Sequence, residues 1–207
     1  MNLPNSITAV RIVLSPVFVV FWYAGGMLVR SGGTVQPTPN GWLIAALVVV
    51  VLAEVSDLLD GWLARRWRIV TNIGKLLDPF ADTMFRFTAF LCFLASGMAE
   101  IWMVAIIFYR DITVAVLRNF GVLSSVVIAA RWSGKVKAVV QGTVVNLIIA
   151  LIVFTQIIGY EPAWLKVQTI SWWLMLVATL VTFLSGVEYV RGNWPLLMSI
   201  REKREEQ

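Results

Sequence analysis

The segment that decides the fold is SDLLDGWLARRWRIVTNIGKLLDPFAD, residues 56–82. It joins two apolar stretches, about 41–63 and 79–98. Each stretch is close to the length of about 20 residues that a helix needs to cross a bilayer core of roughly 30 Å. The sequence therefore predicts two membrane helices with a short basic connection, and with acidic residues at the end of the first helix and the start of the second.

Four further apolar stretches lie outward from this segment, at about 7–29, 101–118, 138–158 and 167–190. Of the 207 residues, 59% are hydrophobic and 14% are charged, a composition that a water-soluble fold could not bury. We expect an all-α, polytopic integral membrane protein with six transmembrane helices. We expect a single domain over residues 1–207 that ends in a polar cytoplasmic tail at 191–207. The first stretch is expected to be a retained span, because it lacks a signal peptide's basic start and small-residue cleavage site.

Basic residues between the spans predict the orientation. Twelve lie in the segments on one side, whereas only Arg30 and Lys166 lie on the other. The positive-inside rule then places both termini and the 65–75 and 119–137 segments in the cytoplasm. We expect a multi-pass protein of the cell (inner) membrane, and we assign the net charge of +5 to topology rather than to nucleic-acid binding.

Four aspartates form the densest chemical signal. Asp57 and Asp60 are three residues apart and Asp78 and Asp82 are four apart, so each pair lies on one face of its helix. Two helices joined by a short cytoplasmic turn can bring the pairs together, and four carboxylates repel one another unless cations neutralise them. The chain has no histidine, so hard oxygen ligands remain. The cluster predicts Mg²⁺ or Mn²⁺, with two ions suited to phosphoryl displacement.

Each acid taken alone has a simpler explanation. Asp78 followed by Pro79 fits a helix N-cap with proline at the first helical position. The acids of the first pair could neutralise nearby arginines at a helix end. Small residues among the acids favour a ligand site, since Gly61 and Ala64 leave room for one and Gly74 permits a tight turn.

The complete spacing resembles the signature of the CDP-alcohol phosphotransferase family. The matching residues are Asp57-x2-Asp60-Gly61-x2-Ala64-Arg65-x8-Gly74-x3-Asp78-x3-Asp82. The resemblance implies a six-helix membrane core whose active site opens to the cytoplasm, and a homodimer. It also implies transfer of a phosphatidyl group from CDP-diacylglycerol to a small alcohol, by direct displacement of CMP.

The resemblance also implies individual roles. The metal ligands would be Asp57, Asp60, Asp78 and Asp82. Asp82 would in addition be the catalytic base that deprotonates the acceptor hydroxyl. The CDP-binding residues would be Asp57, Asp60, Gly61, Ala64, Arg65, Gly74, Asn5 and Thr8.

Two flanking segments resemble the phosphatidylglycerophosphate synthase branch of this family. They are Asn2-Leu3-Pro4-Asn5-Ser6-Ile7-Thr8-x2-Arg11, and Arg110-Asp111-x6-Arg118 with Ser133-Gly134-Lys135-Val136-Lys137-x3-Gln141. The expected acceptor is then glycerol 3-phosphate, with its phosphate held by Arg110, Arg118, Lys135 and Lys137. The two lysines could instead only follow the positive-inside rule, whereas charges inside a span mark a functional interior by default. Thr83 departs from this branch, which generally has lysine there.

Two alternatives remain. The same chemistry could use inositol phosphate, serine, phosphatidylglycerol or an amino alcohol as the acceptor. Charged residues inside the spans could instead belong to a cation transporter, which would distribute its acids along a transmembrane path. The clustering of the four aspartates at one membrane face favours the enzyme.

Overall fold

The computed structural model describes residues 3–27, 41–67, 72–123, 132–159 and 164–205. The described residues form six α-helices, which confirms the expected all-α class. In chain order the helices are α1 (Leu3–Ala24), α2 (Trp42–Trp67), α3 (Asn72–Ala95), α4 (Ile101–Leu123), α5 (Trp132–Ile158) and α6 (Trp164–Glu205).

Several helices extend beyond the apolar stretches that predict them. The α3 helix begins at Asn72 rather than near 79, and α6 continues to Glu205 rather than ending near 190. Hydropathy marks where a chain can meet lipid, whereas a helix once formed continues into polar sequence at little cost. Asp78 and Pro79 therefore lie inside α3, and the N-cap interpretation is wrong. Gly74 lies in the first turn of α3, so its expected place in a tight turn is also wrong.

The helices pack in two groups. The α1 helix packs on α2 and α3, whereas α6 packs on α4 and α5. Contacts of α2 with α5, and of α3 with α4 and α5, join the groups. Elements from both halves of the sequence therefore meet along the junction between the groups.

Aromatic rings fill the centre of the first group. Phe18 and Trp22 of α1 are fully buried, with ring centroids 5.5 Å apart. Phe85 of α3 lies 6.0 Å from Phe18, and Phe93 lies 5.5 Å from Trp22. Tilted rings at these separations stabilise a core beyond simple burial. The contacts fix α1 against α3, the helix that carries Asp82.

The outward-facing surface is strongly apolar. Every helix exposes large hydrophobic side chains, and examples from α1 to α6 are Val13 62%, Val48 51%, Leu91 44%, Ile101 71%, Val139 67% and Leu165 73%. Within the described residues, Trp132–Ile158 and Trp164–Trp194 are long and apolar enough to cross a membrane, and Ala9–Ala24 and Trp42–Ser56 are shorter apolar helical stretches. An apolar exterior around a packed interior is consistent with an integral membrane protein.

Ser96 joins three helices where α3 ends. Its hydroxyl accepts a hydrogen bond from Trp22 Nε1 at 2.9 Å and donates to the backbone carbonyl of Met27. Gln168 of α6 donates to the Ser96 carbonyl at 3.3 Å. The adjacent Gly97 has a φ of +69°, a conformation that glycine adopts without strain. This polar junction fixes the ends of α1 and α3 against the beginning of α6.

We expect Ser96→Ala to lower the free energy of unfolding by roughly 1–3 kcal/mol, because it leaves the buried Trp22 N–H without its acceptor. Thermal unfolding in detergent measures the effect. Thr169→Ala is the matched control, since its exposed hydroxyl bonds only within its own helix. Equal stability of the two variants would contradict a structural role for the Ser96 junction.

Candidate active site

The aspartate motif is divided between two helices. Asp57 and Asp60 lie in the C-terminal half of α2, whereas Asp78 and Asp82 lie in α3. Only Asp82 has a described side chain. The other predicted metal and CDP ligands lie on helices, but their side chains are outside the described part; they are Asp57, Asp60, Asp78, Gly61, Ala64, Arg65, Gly74, Asn5 and Thr8. Their convergence stays a prediction.

Asp82 lies between two arginines. Arg86, one turn further along α3, donates from Nη2 to Asp82 Oδ2. Arg11 of α1 places Nη1 3.6 Å from Asp82 Oδ1. The Arg11 side chain is 2% exposed, whereas that of Asp82 is 33% exposed. The carboxylate is therefore fixed from the protein side and remains accessible from the other side.

Arg86 also connects the two helix groups. Its Nη1 donates to the backbone carbonyl of Ala138 in α5 at 3.4 Å. Sequence reasoning assigned Arg86 no role, although the four-residue spacing from Asp82 is an ordinary helical ion-pair signal. The bond to α5 could not be read from the sequence, because it joins residues 52 positions apart.

A second charged cluster lies across α4, α5 and α6. Lys137 Nζ donates to both carboxylate oxygens of Asp111 at 2.7 Å, and Arg110 Nη1 donates to Oδ1 at 3.1 Å. Arg110 Nη2 donates to Ser185 Oγ at 2.7 Å. The side chains of Arg110, Asp111 and Lys137 are 11%, 13% and 7% exposed. A buried lysine, a mostly buried arginine and a mostly buried aspartate thus lie together.

The structure brings together two of the four predicted acceptor residues. Arg110 and Lys137 share Asp111, whereas Arg118 and Lys135 are exposed on α4 and α5. In the sequence, Asp111 belongs to the flanking motif Arg110-Asp111-x6-Arg118 without an assigned role. No sequence signal indicates Ser185, which lies on a distant helix.

Unsatisfied polar atoms remain beside this cluster. Among the described residues, Arg110 Nε and Ser133 Oγ are buried without a hydrogen-bond partner. Ser133 precedes Gly134, where an added Cβ would lie 3.7 Å from Arg110 Nη2. Buried donors are nearly always satisfied in native proteins, by protein, water or ligand. A guanidinium N–H and a hydroxyl beside a lysine are suited to an anion such as phosphate.

The described side chains include no group of three or more histidine, cysteine, aspartate or glutamate residues that could hold a metal ion. This finding does not test the predicted metal site, because three of its four aspartates are outside that set. Asp82 itself suits a hard divalent ion, since its carboxylate is partly exposed and oxygen ligands are the ones that Mg²⁺ and Mn²⁺ prefer.

An all-helical bundle with an apolar exterior and buried charged clusters defines a membrane-associated protein with a polar interior site. Sequence comparison identifies the family. A profile of the CDP-alcohol phosphatidyltransferase family matches residues 1–184, and the chain belongs to this family. It is therefore an enzyme of the phosphatidyltransferase class, and the transporter alternative is excluded.

Relatives named CDP-diacylglycerol–glycerol-3-phosphate 3-phosphatidyltransferase match nearly the whole chain. The Bacillus subtilis protein is 32% identical over 196 residues, which cover 95% of this chain and 97% of the relative. The Yersinia enterocolitica protein is 29% identical, with 96% and 98% coverage. The Rickettsia felis protein is 27% identical, with 92% and 94% coverage.

We expect Asp111→Asn to destabilise the protein by roughly 3 kcal/mol, because it leaves two buried cations without their counter-charge. Thermal unfolding in detergent measures the loss, and Glu100→Gln, the same chemical change at an exposed position, is the control. Adding Lys137→Met to Asp111→Asn is expected to restore part of the stability, since one unpaired charge is then removed. A double variant less stable than Asp111→Asn would contradict this explanation.

Proposed function

We propose that the protein transfers the phosphatidyl group of CDP-diacylglycerol to glycerol 3-phosphate and releases CMP. The observation that carries the proposal is a mostly buried pair of cations, Arg110 and Lys137, held together by Asp111. An acceptor that bears a phosphate needs such a site, whereas serine or an amino alcohol does not. The names of the relatives support the same acceptor.

Arg110 and Lys137 bind the acceptor phosphate in this proposal. Asp111 keeps the two cations in place while the site is empty, so the protein need not reorganise buried charges when the phosphate arrives. The unsatisfied Arg110 Nε and Ser133 hydroxyl are further donors for phosphate oxygens. Arg118 and Lys135, which are exposed, would attract the anion towards the site.

Asp82 is the proposed general base. It takes the proton from the acceptor hydroxyl as that oxygen forms a bond to the lipid-side phosphorus of the diphosphate. The bond from this phosphorus to the bridging oxygen breaks, and CMP leaves with that oxygen. Arg11 and Arg86 hold the carboxylate in one orientation, which favours a productive geometry for proton transfer.

The remaining motif residues would hold the donor. Asp57, Asp60, Asp78 and Asp82 are the proposed ligands of two Mg²⁺ or Mn²⁺ ions, which would neutralise diphosphate charge. The proposed CDP pocket consists of Asp57, Asp60, Gly61, Ala64, Arg65 and Gly74 of the family signature, together with Asn5 and Thr8 of the N-terminal segment.

The proposed setting is the bacterial inner membrane, with six spans and both termini in the cytoplasm. The exposed apolar residues on every helix and the bacterial relatives support the membrane setting, and the excess of basic residues on one side supports the orientation. In this arrangement Asp82, in the first half of α3, and Lys137, near the start of α5, lie towards the cytoplasmic side from which a soluble acceptor arrives. A single domain over residues 1–207 and a homodimer stay predictions.

An acceptor panel tests the proposal with purified protein in detergent. We expect CMP release from CDP-diacylglycerol and Mg²⁺ with glycerol 3-phosphate, and little with inositol phosphate, serine, phosphatidylglycerol or choline. Thr83 departs from the synthase branch, so the panel must include acceptors of other branches. Inositol phosphate is the most informative of these, because it carries the same phosphate on a different alcohol. Release only with another alcohol would overturn the acceptor, and EDTA is expected to stop the reaction.

We expect Asp82→Asn to reduce kcat by roughly 10²–10⁴-fold, because the general base is lost. The KM for CDP-diacylglycerol is expected to change by no more than about threefold, since most donor ligands remain. Steady-state CMP release measures both parameters, with Glu100→Gln as the control. Equal losses in kcat and in affinity for CDP-diacylglycerol would assign Asp82 mainly to metal binding.

A further inference from the structure

The side chain of Arg110, in α4, passes close to the backbone of Gly186 in α6. A Cβ added to Gly186 would lie 2.8 Å from Arg110 Cγ and 3.7 Å from Arg110 Cβ. The first distance is shorter than real Cβ contacts, so a side chain at this position would displace Arg110. The affected atom lies near the base of the arginine side chain. Its displacement would therefore move the whole guanidinium group rather than only its tip.

Ser185, which directly precedes Gly186 in α6, fixes the guanidinium group of Arg110. Ser185 Oγ accepts a hydrogen bond from Nη2 at 2.7 Å, and Ser185 is 2% exposed. Asp111 accepts from Nη1 on the other side. Gly186 thus leaves room for the aliphatic part of the Arg110 side chain, and Ser185 orients its guanidinium group.

We propose that Ser185 and Gly186 form a seat on α6 that positions Arg110 to bind the acceptor phosphate. This inference rests on the proposed function, because it takes that phosphate as the ligand of Arg110. Both seat residues follow the last residue matched by the family profile, residue 184. They are positioning residues, since they act through Arg110.

A small residue at position 186 could instead serve close packing of α4 against α6, as small residues often do between membrane helices. The geometry favours the seat. Among the described residues, the neighbours that a Cβ at position 186 would meet both belong to the Arg110 side chain rather than to the α4 backbone. The steric effect of a substitution therefore passes through Arg110.

Gly186→Ala tests the seat. We expect the KM for glycerol 3-phosphate to rise by roughly tenfold, because a charged hydrogen-bond donor is misplaced. The KM for CDP-diacylglycerol and the kcat at saturating acceptor are expected to stay within about twofold. Gly192→Ala is the matched control, since it makes the same change in the same helix at an exposed position. Alanine favours a helix over glycine, so poor helix formation would not explain a defect.

Ser185→Ala is a gentler second variant, because it removes one hydroxyl and adds no bulk. We expect a rise of roughly three- to tenfold in the same KM. Ser185→Thr keeps the hydroxyl and is expected to restore most of the affinity. If the KM for glycerol 3-phosphate is no lower in Ser185→Thr than in Ser185→Ala, the role of the Ser185 hydrogen bond is overturned.

A double-mutant cycle separates the seat from helix packing. If Gly186 acts through Arg110, adding Gly186→Ala to Arg110→Ala is expected to leave the KM for glycerol 3-phosphate at the value of Arg110→Ala alone. A further rise in KM, or a parallel loss of CDP-diacylglycerol affinity and thermal stability, would overturn the seat in favour of packing.

The wild-type enzyme distinguishes the two proposals. If it does not use glycerol 3-phosphate, the proposed function fails. If it uses glycerol 3-phosphate and Gly186→Ala has the wild-type KM, the proposed function stands and the seat is overturned.

Discussion

Buried charge is the constraint on which the rest of the structure depends. An ionised side chain among apolar helices is costly unless an opposite charge and hydrogen bonds compensate it. Arg11 and Arg86 meet this requirement with Asp82, and Arg110 and Lys137 meet it with Asp111. Each cluster needs more than one helix, so helix packing and charge pairing support each other.

Arg86 links the helices that carry the two charged clusters. One nitrogen of its guanidinium binds Asp82 in α3, and another binds the carbonyl of Ala138 in α5. Ala138 directly follows Lys137, the lysine of the second cluster. A single planar group therefore links the proposed base to the helix that carries a proposed phosphate ligand. Its rigidity suits a reaction in which a hydroxyl and a phosphate of the same small molecule must be placed together.

The sequence predicted the number of helices and the class of chemistry, because both depend on local patterns. Apolar length identified all six helices, and the aspartate spacing identified the family. The predicted helix ends were less accurate, because hydropathy does not show where backbone hydrogen bonding stops. The α3 helix begins at Asn72, before its apolar stretch, and α6 ends at Glu205, well after its own. The contacts of Arg110 with Ser185 and of Arg86 with Ala138 were not predictable, because they join residues 75 and 52 positions apart.

Glycines inside helices have a related explanation. A helical glycine costs about 1 kcal/mol relative to alanine, so its presence needs a compensating contact. A Cβ at Gly186 would collide with the stem of Arg110, and a Cβ at Gly142 in α5 would lie 3.2 Å from Glu54 Oε1 of α2. In both places a long charged side chain of one helix reaches the backbone of another. The glycine lets that side chain enter the interior, so these positions are part of the arrangement of charge rather than interruptions of the helix.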